Sequence, residues 1–348
     1  MRTGQVMTML PTMHEGLRAA RLRTAVLAPG DVAAVIALAA RAPSIHNTQP
    51  WQFRVRGDAI ELLADYRRQL RRLDPAGREL TISCGAALFG LRLGLRRLGY
   101  LPSVSLLPDL AQPELLARVR PDGRATITAE EAELISAVPH RHTHRGPFTP
   151  GELPARLVTA LQCDAAAEGS ELVAVDKASQ VGALGRLVEL AAAEQRADTE
   201  MAAELGRWIR PAGSVARDGI PAAARTFATT GTFGARMPRR DFGAPGTEPA
   251  DGAPSAVTAV LTTPGDSAAD WLRAGLALQR LLLHAATRWV FASLQSQPLE
   301  SPARRSQVRT LLGLTGQPQM LLELGRANTA LATPRRPHSE LRANEEQG

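Results

Sequence analysis

Residues 42–53 read "APSIHNTQPWQF" and join a segment of helical character to one of strand character. Before them, "DVAAVIALAARAP" at 31–43 is largely apolar and ends at a proline, which predicts a helix that stops there. After them, Trp51, Phe53 and Val55 alternate with polar residues, which predicts a half-buried strand. The joining loop combines stiffening prolines with a hydroxyl and two amides that can form hydrogen bonds to a ligand. These loop residues are Pro43, Ser44, Asn47, Gln49 and Pro50.

The same order of elements recurs later in the chain. "FTPGELPARLVTALQ" at 148–162 repeats the proline, glycine and acidic start of the first helix, and "ELVAVD" at 171–176 supplies the following strand. The loop between them, "CDAAAEGS" at 163–170, has none of the features of the first loop. Further matched pairs are two long apolar helical stretches at 74–100 and 264–289 and two strand candidates at 103–109 and 319–325. We infer an internal duplication in which the halves share a scaffold but not a site.

The two halves have unequal lengths. We expect a flexible N-terminal extension at 1–30, a first half at 31–130 and a second half at 131–340 that ends in a C-terminal tail. The second half carries an insertion at about 197–265 that is rich in glycine, proline and arginine. A loop of that length is either disordered or a functional cover, and we expect a lid.

Composition narrows the class of protein. The 348 residues are 44% hydrophobic and 22% charged, which is typical of a globular protein. The net charge of +7 comes from scattered arginines, and only 4% of residues are aromatic, which disfavours nucleic-acid binding. Cys84 and Cys163 lie far apart, so neither a disulfide nor a zinc site is indicated. The sequence contains no signal peptide or membrane span, and we expect a cytoplasmic protein without a membrane partner.

The stretch "AVPHRHTHRGPF" at 137–148 has histidines at alternate positions. On a strand these side chains would point to one side and could bind zinc. The neighbouring arginines would oppose a bound cation, and no carboxylate lies close by in sequence. We therefore favour surface or structural histidines over a metal site. The three histidines are His140, His142 and His144.

The residues between the histidines suit a different ligand. Arg141, Thr143 and Arg145 provide two guanidinium groups and a hydroxyl just before a predicted helix. Arginine forms bidentate hydrogen bonds to phosphate, and hydrogen bonds to an ionised acceptor are roughly twice as strong as neutral ones. This pattern indicates a phosphate-binding segment.

The loop at 42–53 resembles the "APSxxNxQPWxF" loop of the nitroreductase family, whose members use flavin mononucleotide (FMN). The run Arg-x-Thr-x-Arg at 141–145 is similar to that family's Arg-Ser-x-Arg phosphate motif. "GRANTALATPRRPHSEL" at 325–341 is similar to the family's closing segment, in which basic residues reach the phosphate. The resemblance covers roughly residues 30–340, and the double length resembles the Acg branch of the family.

The resemblance implies an α+β fold of two tandem, degenerate nitroreductase-like halves that together mimic the family's homodimer. In the family one subunit contributes the loop and the other the arginines, so here the two halves would complete one FMN site. The chain would act as a monomeric pseudo-dimer or as a homodimer. The residues expected to bind FMN are Pro43, Ser44, Ile45, Asn47, Gln49, Pro50, Trp51, Arg141, Thr143, Arg145, Arg335 and Arg336.

Each group of these residues has an expected role. Ser44, Asn47 and Gln49 could satisfy the donors and acceptors on the edge of the flavin ring. Ile45 could lie against the ring, and Trp51 would anchor the strand in the core. FMN itself would carry the chemistry, so no catalytic side chain and no metal is expected.

Two functions of different class follow from the resemblance. One is an NAD(P)H-dependent oxidoreductase that passes a hydride through FMN to small aromatic acceptors of the nitro or quinone type. The alternative is a storage protein that sequesters FMN, because the bulky Ile45 and His46 and the lid at 197–265 would restrict access to the ring. A metal hydrolase built on the three histidines is a third, less favoured hypothesis.

Overall fold

The computed structural model describes residues 26–146, 148–223, 256–328 and 331–343. Within these residues the chain forms two antiparallel sheets of four strands each. The first sheet contains β1 (Trp51–Arg56), β2 (Ala59–Ala64), β3 (Tyr100–Leu106) and β4 (Leu115–Arg124) in the order β1-β2-β4-β3. The second contains β5 (Glu171–Ala174), β6 (Val257–Thr263), β7 (Val290–Leu294) and β8 (Gln317–Arg326) in the matching order β5-β6-β8-β7. The identical order confirms the duplication inferred from the repeated pattern and the α+β fold implied by the family resemblance.

Helices connect and cover these strands. The helices are α1 (Pro29–Ala39), α2 (Arg78–Arg97), α3 (Ala129–Ala137), α4 (Ala155–Ala167), α5 (Ala178–Ala197), α6 (Thr199–Gly206), α7 (Ala268–Thr287), α8 (Gln297–Glu300), α9 (Pro302–Leu312) and α10 (His338–Leu341). Capping boxes begin two of them: Thr128 and Glu131 cap α3, and Ser267 and Asp270 cap α7. Each box satisfies otherwise unpaired backbone N–H groups, so the sequence itself fixes where these helices start.

The long helices α2 and α7 cross at the centre of the molecule, with a glycine on each side of the crossing. A Cβ atom added at Gly275 would lie 2.0 Å from the carbonyl oxygen of Ile82. One added at Gly85 would lie 2.3 Å from the carbonyl oxygen of Leu272. The two backbones therefore approach closely because neither residue has a side chain. Leucines of both helices share one apolar core, which joins the halves into a single body.

A second apolar cluster covers the other face of the second sheet. There α5, α8 and α9 pack against β6 and β8, and the two strands contribute Val260 and Leu321. The α5 residues in this cluster are Val181, Leu184 and Val188. The first half has no counterpart of these helices in the described residues, so the duplication is unequal in this layer as well.

The insertion predicted at 197–265 needs correction at its end. Residues 257–263 form β6, which pairs with both β5 and β8 and lies inside the second sheet. Residues 224–255 of the predicted lid, and residues 1–25 of the predicted extension, lie outside the described residues. The described beginning of the insertion contains α6 and, after it, residues 207–220. We call residues 207–220 the strap.

The ends of the second half reach into the first. The backbone N–H of Ala343 donates to the carbonyl oxygen of Phe53 at 2.9 Å, and Arg342 forms a parallel bridge with Phe53 on the edge of the first sheet. The tail that carries Arg335 and Arg336 thus crosses from β8 to the first half. In the described residues, no helix is both long and apolar enough to cross a membrane.

Candidate functional site

The loop between α1 and β1 adopts an unusual backbone. His46, Asn47 and Gln49 have φ values of 45°, 55° and 49°, in the left-handed region that costs free energy for residues with side chains. Hydrogen bonds hold this shape: the N–H of Ile45 donates to Ser83 Oγ at 3.1 Å, and the N–H of Gln49 donates to Ser44 Oγ at 2.9 Å. The loop is therefore a rigid, preformed wall.

This wall borders a cleft that is lined by residues of both halves. Ser44 and Ile45 of the loop face Thr143 and Arg145 of the second half across it. Thr143 is held there by a bridge to Ala292, because the segment runs alongside the edge strand β7. The predicted site residues that line the cleft are Pro43, Ser44, Ile45, Thr143 and Arg145. The structure thus brings the early loop and the late arginine segment together.

Asn47 and Gln49 have other partners than the expected flavin edge, and neither lines the cleft. The Asn47 side-chain amide donates to the carbonyl oxygens of Gly219 and Pro334, at 3.1 Å each. Gln49 Nε2 donates to the carbonyl oxygen of Arg217 at 2.8 Å, while its Oε1 accepts from the N–H of Arg336 at 2.8 Å. These two amides therefore fasten the strap and the C-terminal tail onto the back of the loop.

The strap has a second anchor on the first half. The Trp208 ring lies under the guanidinium groups of Arg68 and Arg210, at 5.3 Å and 5.6 Å from its centroid. Asp218 forms ion pairs with both arginines, at 2.6 Å from Arg210. Cation–π and ionic contacts together order this part of the insertion.

Pro50 and Trp51 are buried at the start of the first sheet, and Trp51 belongs to the apolar core as expected for it. Arg336 is likewise structural in this arrangement. Its guanidinium donates to the carbonyl oxygens of Gln49 and Glu340, at 3.2 Å and 2.6 Å. Arg336 therefore joins the loop to α10, and the structure gives it no direct place at the cleft.

Arg141 and Arg335 form the centre of a buried arginine cluster. Both donate to the carbonyl oxygen of Arg41, at 2.9 Å and 3.3 Å, so their guanidinium groups lie side by side. Burial first, and then the charge of Arg41, lower the pKa of Arg141 to about 10. Burial and the charges of Arg141, Arg41 and Arg145 hold the pKa of Arg335 well below its ordinary range. Burial also lowers the pKa of Arg145 to about 10.

The cluster has hydrogen-bond donors to spare. Arg141 Nε and Nη1 and Arg335 Nε are buried without a partner in the described residues. Neither arginine contacts a carboxylate there, whereas most buried charges in proteins are paired. The cluster thus holds buried donors without acceptors, and it lies beside Arg145, which lines the cleft.

The cleft also has walls that the sequence patterns did not identify. The run Ser293–Gln297, which begins in the last two residues of β7, lines it, and within this run Gln295 Oε1 and Gln297 Nε2 are buried without partners in the described part of the chain. Glu79, Ile82 and Ser83 of α2 line the opposite side, and Leu278 and Met320 add apolar surface. The mostly polar run "SLQSQ" at 293–297, at the end of a buried strand, was the sequence signal that could have identified the first group.

The three alternating histidines do not form a metal site in the described residues, where no cluster of metal-ligating side chains occurs. His140 stacks on Trp289 with ring centroids 5.5 Å apart, and His144 stacks on Phe148 at 5.0 Å. Burial and the charges of Arg141, Arg335 and Arg41 lower the pKa of His142 to about 4. The same positive field would oppose a bound cation.

Comparison with known proteins gives relatives of nearly equal length, although no family model matches the chain. A Mycobacterium tuberculosis protein named "Putative NAD(P)H nitroreductase" is 36% identical over 324 residues, which are 89% of this chain and 90% of the relative. A second protein of that organism, named "Putative NAD(P)H nitroreductase acg", is 28% identical over 89% of this chain and 94% of the relative.

Similar solved structures include nitroreductases whose chains are shorter than this one. A nitroreductase with bound FMN from Bacteroides fragilis has a TM-score of 0.38 and 15% identity, and spans 62% of this chain and 99% of its own. The FMN-dependent nitroreductase NfnB from Mycobacterium smegmatis, in complex with NADPH, has a TM-score of 0.36 and 20% identity over the same shares.

Proposed function

The chain belongs to the NAD(P)H nitroreductase family, and from that premise we propose that it binds FMN between its two halves and catalyses NAD(P)H-dependent reductions. The observation that carries the proposal is the buried arginine cluster with unpaired donors beside the cleft. FMN offers the matching parts, a phosphate for the arginines and a planar ring for the apolar walls. One chain supplies both sides, so we propose that a single copy contains one complete site.

The phosphate end of the ligand would lie against Arg141 and Arg335. The unpaired Nε and Nη1 of Arg141 and Nε of Arg335 would supply charge-assisted hydrogen bonds, and the Thr143 hydroxyl would add a further donor nearby. An anion would also offset the mutual repulsion that lowers the pKa of Arg335. The cluster contains four guanidinium groups, which therefore suit a phosphate that carries two negative charges. They belong to Arg41, Arg141, Arg145 and Arg335.

The ring end would lie in the cleft. Ile45, Ile82 and Met320 provide apolar surface that excludes water, and the unpaired amide atoms of Gln295 and Gln297 can satisfy polar atoms on the ring edge. The role assigned from sequence to Asn47 and Gln49 thus passes to these two glutamines. The preformed loop at Ser44 would fix the ring without reorganisation.

Bound FMN would supply the hydride transfer between NAD(P)H and an acceptor. The contribution of the protein is to bind, orient and tune it. Arg145 lines the cleft and carries a positive charge there, which favours the more negative, reduced state of a bound flavin. We propose planar aromatic acceptors of the nitro or quinone type, because apolar side chains form part of the cleft wall.

A second candidate, storage of FMN with little turnover, rests on the strap. Asn47 and Gln49 fasten it to the loop that borders the cleft, and Arg68 forms an ion pair with its Asp218, so residues 207–220 cannot move away without breaking those contacts. A strap held in this way would keep the bulky Ile45 and His46 of the loop in place at the cleft, which would slow the entry of NAD(P)H. The two candidates share the cofactor and differ in its accessibility.

One experiment separates them. The purified protein is examined for the visible absorption of a flavin and is then titrated without oxygen with NADPH and, separately, with NADH. Bleaching within seconds supports the reductase, and a stable yellow colour supports storage. A colourless protein that also fails to take up added FMN would contradict both candidates.

A further inference from the structure

A second cavity lies where three elements of the second half end or begin. It opens between the first turn of α4, the last turn of α7 and the end of β8, and measures about 890 Å³ out to its mouth. It shares no lining residue with the cleft described above. We call it the basic pocket. Its lining residues are Pro154, Arg156, Leu157, Ala160, His284, Arg288 and Arg326.

Local structure explains why these residues meet. The backbone N–H of Thr149 donates to the carbonyl oxygen of Arg326 at 2.8 Å, which ties the segment before α4 to the end of β8. Gly325 permits this approach, since a Cβ there would lie 2.5 Å from the Phe148 ring. On α7, His284 and Arg288 are four residues apart and therefore share a face.

The pocket carries an excess of positive charge. Arg156 and Arg326 form no hydrogen bond or ion pair through their side chains within the described part of the chain. Arg288 has a long contact of 3.5 Å with Glu133, and His284 is bonded to Asp164 at 2.6 Å. None of the lining residues is acidic.

A neighbouring arginine on α7 shows that arginines in this region can form ion pairs. Arg280, one turn before His284 on α7, contacts Asp164, Glu168 and Glu130 at 2.9 Å, 3.5 Å and 2.6 Å. Carboxylates are therefore available nearby, yet Arg156 and Arg326 pair with none of them in the described residues. The start of α4 also lacks a side-chain cap and an acidic residue in its first turn, which leaves its positive end uncompensated.

We propose that the basic pocket binds a phosphate group, separately from the flavin cleft. Three guanidinium groups from three elements surround one cavity, an arrangement that matches an acceptor with several oxygens. Pro154, Leu157 and Ala160 form an apolar wall beside them that accommodates the carbon skeleton of a phosphorylated small molecule. The phosphate could belong to such a molecule or be free in solution.

The test uses the full chain saturated with FMN, so that the flavin cleft is occupied. Binding of inorganic phosphate and of adenosine monophosphate is measured by calorimetry at constant ionic strength. The variant R156A/R326A removes the two unpaired arginines, both of which are exposed. The matched control R71A/R186A removes the same charge from exposed positions outside the pocket.

We expect each probe to bind the control variant as tightly as it binds the wild type. The R156A/R326A variant should bind each probe at least tenfold more weakly. Tighter binding of adenosine monophosphate than of phosphate assigns the site to an organic phosphate, and equal binding assigns it to the free ion. Absence of binding to the wild type overturns the proposal, as does equal binding by the two double variants. A R141A variant that alone loses probe binding would also overturn it, because the probes would then occupy the flavin site. Since the readout is probe binding, failure of the FMN proposal is seen independently, as a protein that takes up no flavin.

Discussion

Arg335 Nη1 donates a hydrogen bond to Asn47 Oδ1 at 3.0 Å, although the two residues are 288 positions apart in the chain. The same Asn47 amide donates to the carbonyl oxygens of Gly219 and Pro334. One side chain thus joins the first-half loop, the strap and the C-terminal tail. The residue that the sequence suggested as a flavin contact holds together the segments around the cleft.

Replacement of Asn47 by Ala should therefore loosen the protein around the cleft. The change leaves the carbonyl oxygen of Gly219 without its side-chain donor and removes one hydrogen bond each from Pro334 and Arg335, at a cost of about 1 to 3 kcal/mol. Urea unfolding should show the loss of stability, and limited proteolysis should cut the strap near Gly219 faster. The control Gln162→Ala, which loses one hydrogen bond to Leu172, should change neither result by as much. Wild-type behaviour of N47A in both assays would contradict this account of Asn47.

Arg335→Met should weaken FMN binding more than it changes the stability of the protein without ligand. Without FMN, the change relieves the repulsion of the buried guanidinium by other arginines, but it also removes the hydrogen bonds from Arg335 to Asn47 and to the carbonyl oxygens of Arg41 and Ala42. These two effects oppose each other, so the melting temperature should change little. With FMN, the variant should lose charge-assisted hydrogen bonds and bind about tenfold to a hundredfold more weakly. Thermal melts of both forms, with a flavin titration, check both expectations, and an unchanged affinity for FMN would contradict this role of Arg335.

His142 and His284 should make the stability of the folded protein depend on pH in opposite directions. The pKa of His142 is lowered from 6.5 to about 4, so the unfolded chain binds more protons between these values and stability falls as the pH drops through that window. The loss of unfolding free energy due to His142 should reach at most about 3 kcal/mol. The pKa of His284 is raised by its hydrogen bond to Asp164, so its contribution is complete below pH 6.5 and is lost as the pH rises through the raised pKa.

Urea unfolding at several pH values separates these contributions. His142→Asn should flatten the acid side of the stability profile, whereas His284→Asn should remove the decline on the alkaline side of 6.5. Each variant serves as the control for the other. Identical profiles for the two variants would show that neither histidine is linked to folding.

Gly275→Ala should separate or unfold the two halves. Its Cβ would lie 2.0 Å from the carbonyl oxygen of Ile82, and backbone atoms cannot move aside as a flexible side chain can. We expect the free energy of unfolding to fall by at least about 2 kcal/mol. Gly182→Ala is the matched control, because this helical glycine is exposed and its Cβ would meet only Arg186 Nη1 at 3.8 Å. It should stabilise the protein by about 0.5 to 1 kcal/mol. Denaturant unfolding of both variants tests the difference, and equal stabilities would refute the close crossing.

Local patterns in the sequence were sufficient to predict much of this fold. Apolar periodicity and breaks at proline and glycine predicted α1, β1 and the long helices, and the repetition of that order predicted the two halves. These features depend on neighbours a few residues apart, which a sequence shows directly. β6 at 257–263 was missed because it follows a long stretch rich in glycine and proline and was grouped with it.

The types of residue around the cleft could also be predicted, but their partners could not. Ser44, Thr143 and Arg145 do line one cavity, as the two motifs indicated. Which amide faces a ligand and which holds the scaffold depends on contacts between residues more than a hundred positions apart. Asn47 became a structural residue because the tail and strap pass behind it, and Gln297 became available to a ligand because nothing in the described residues pairs with its Nε2.

The sequence by itself determined the order of elements, the duplication and the chemical character of the two motifs. Only the tertiary structure decided that Arg141 and Arg335 meet in the interior without a carboxylate among the described residues. The physical reason is that the electrostatic energy of a charge depends on its distance from other charges and from water. Both distances are properties of the packed chain, and no local run of residues specifies them.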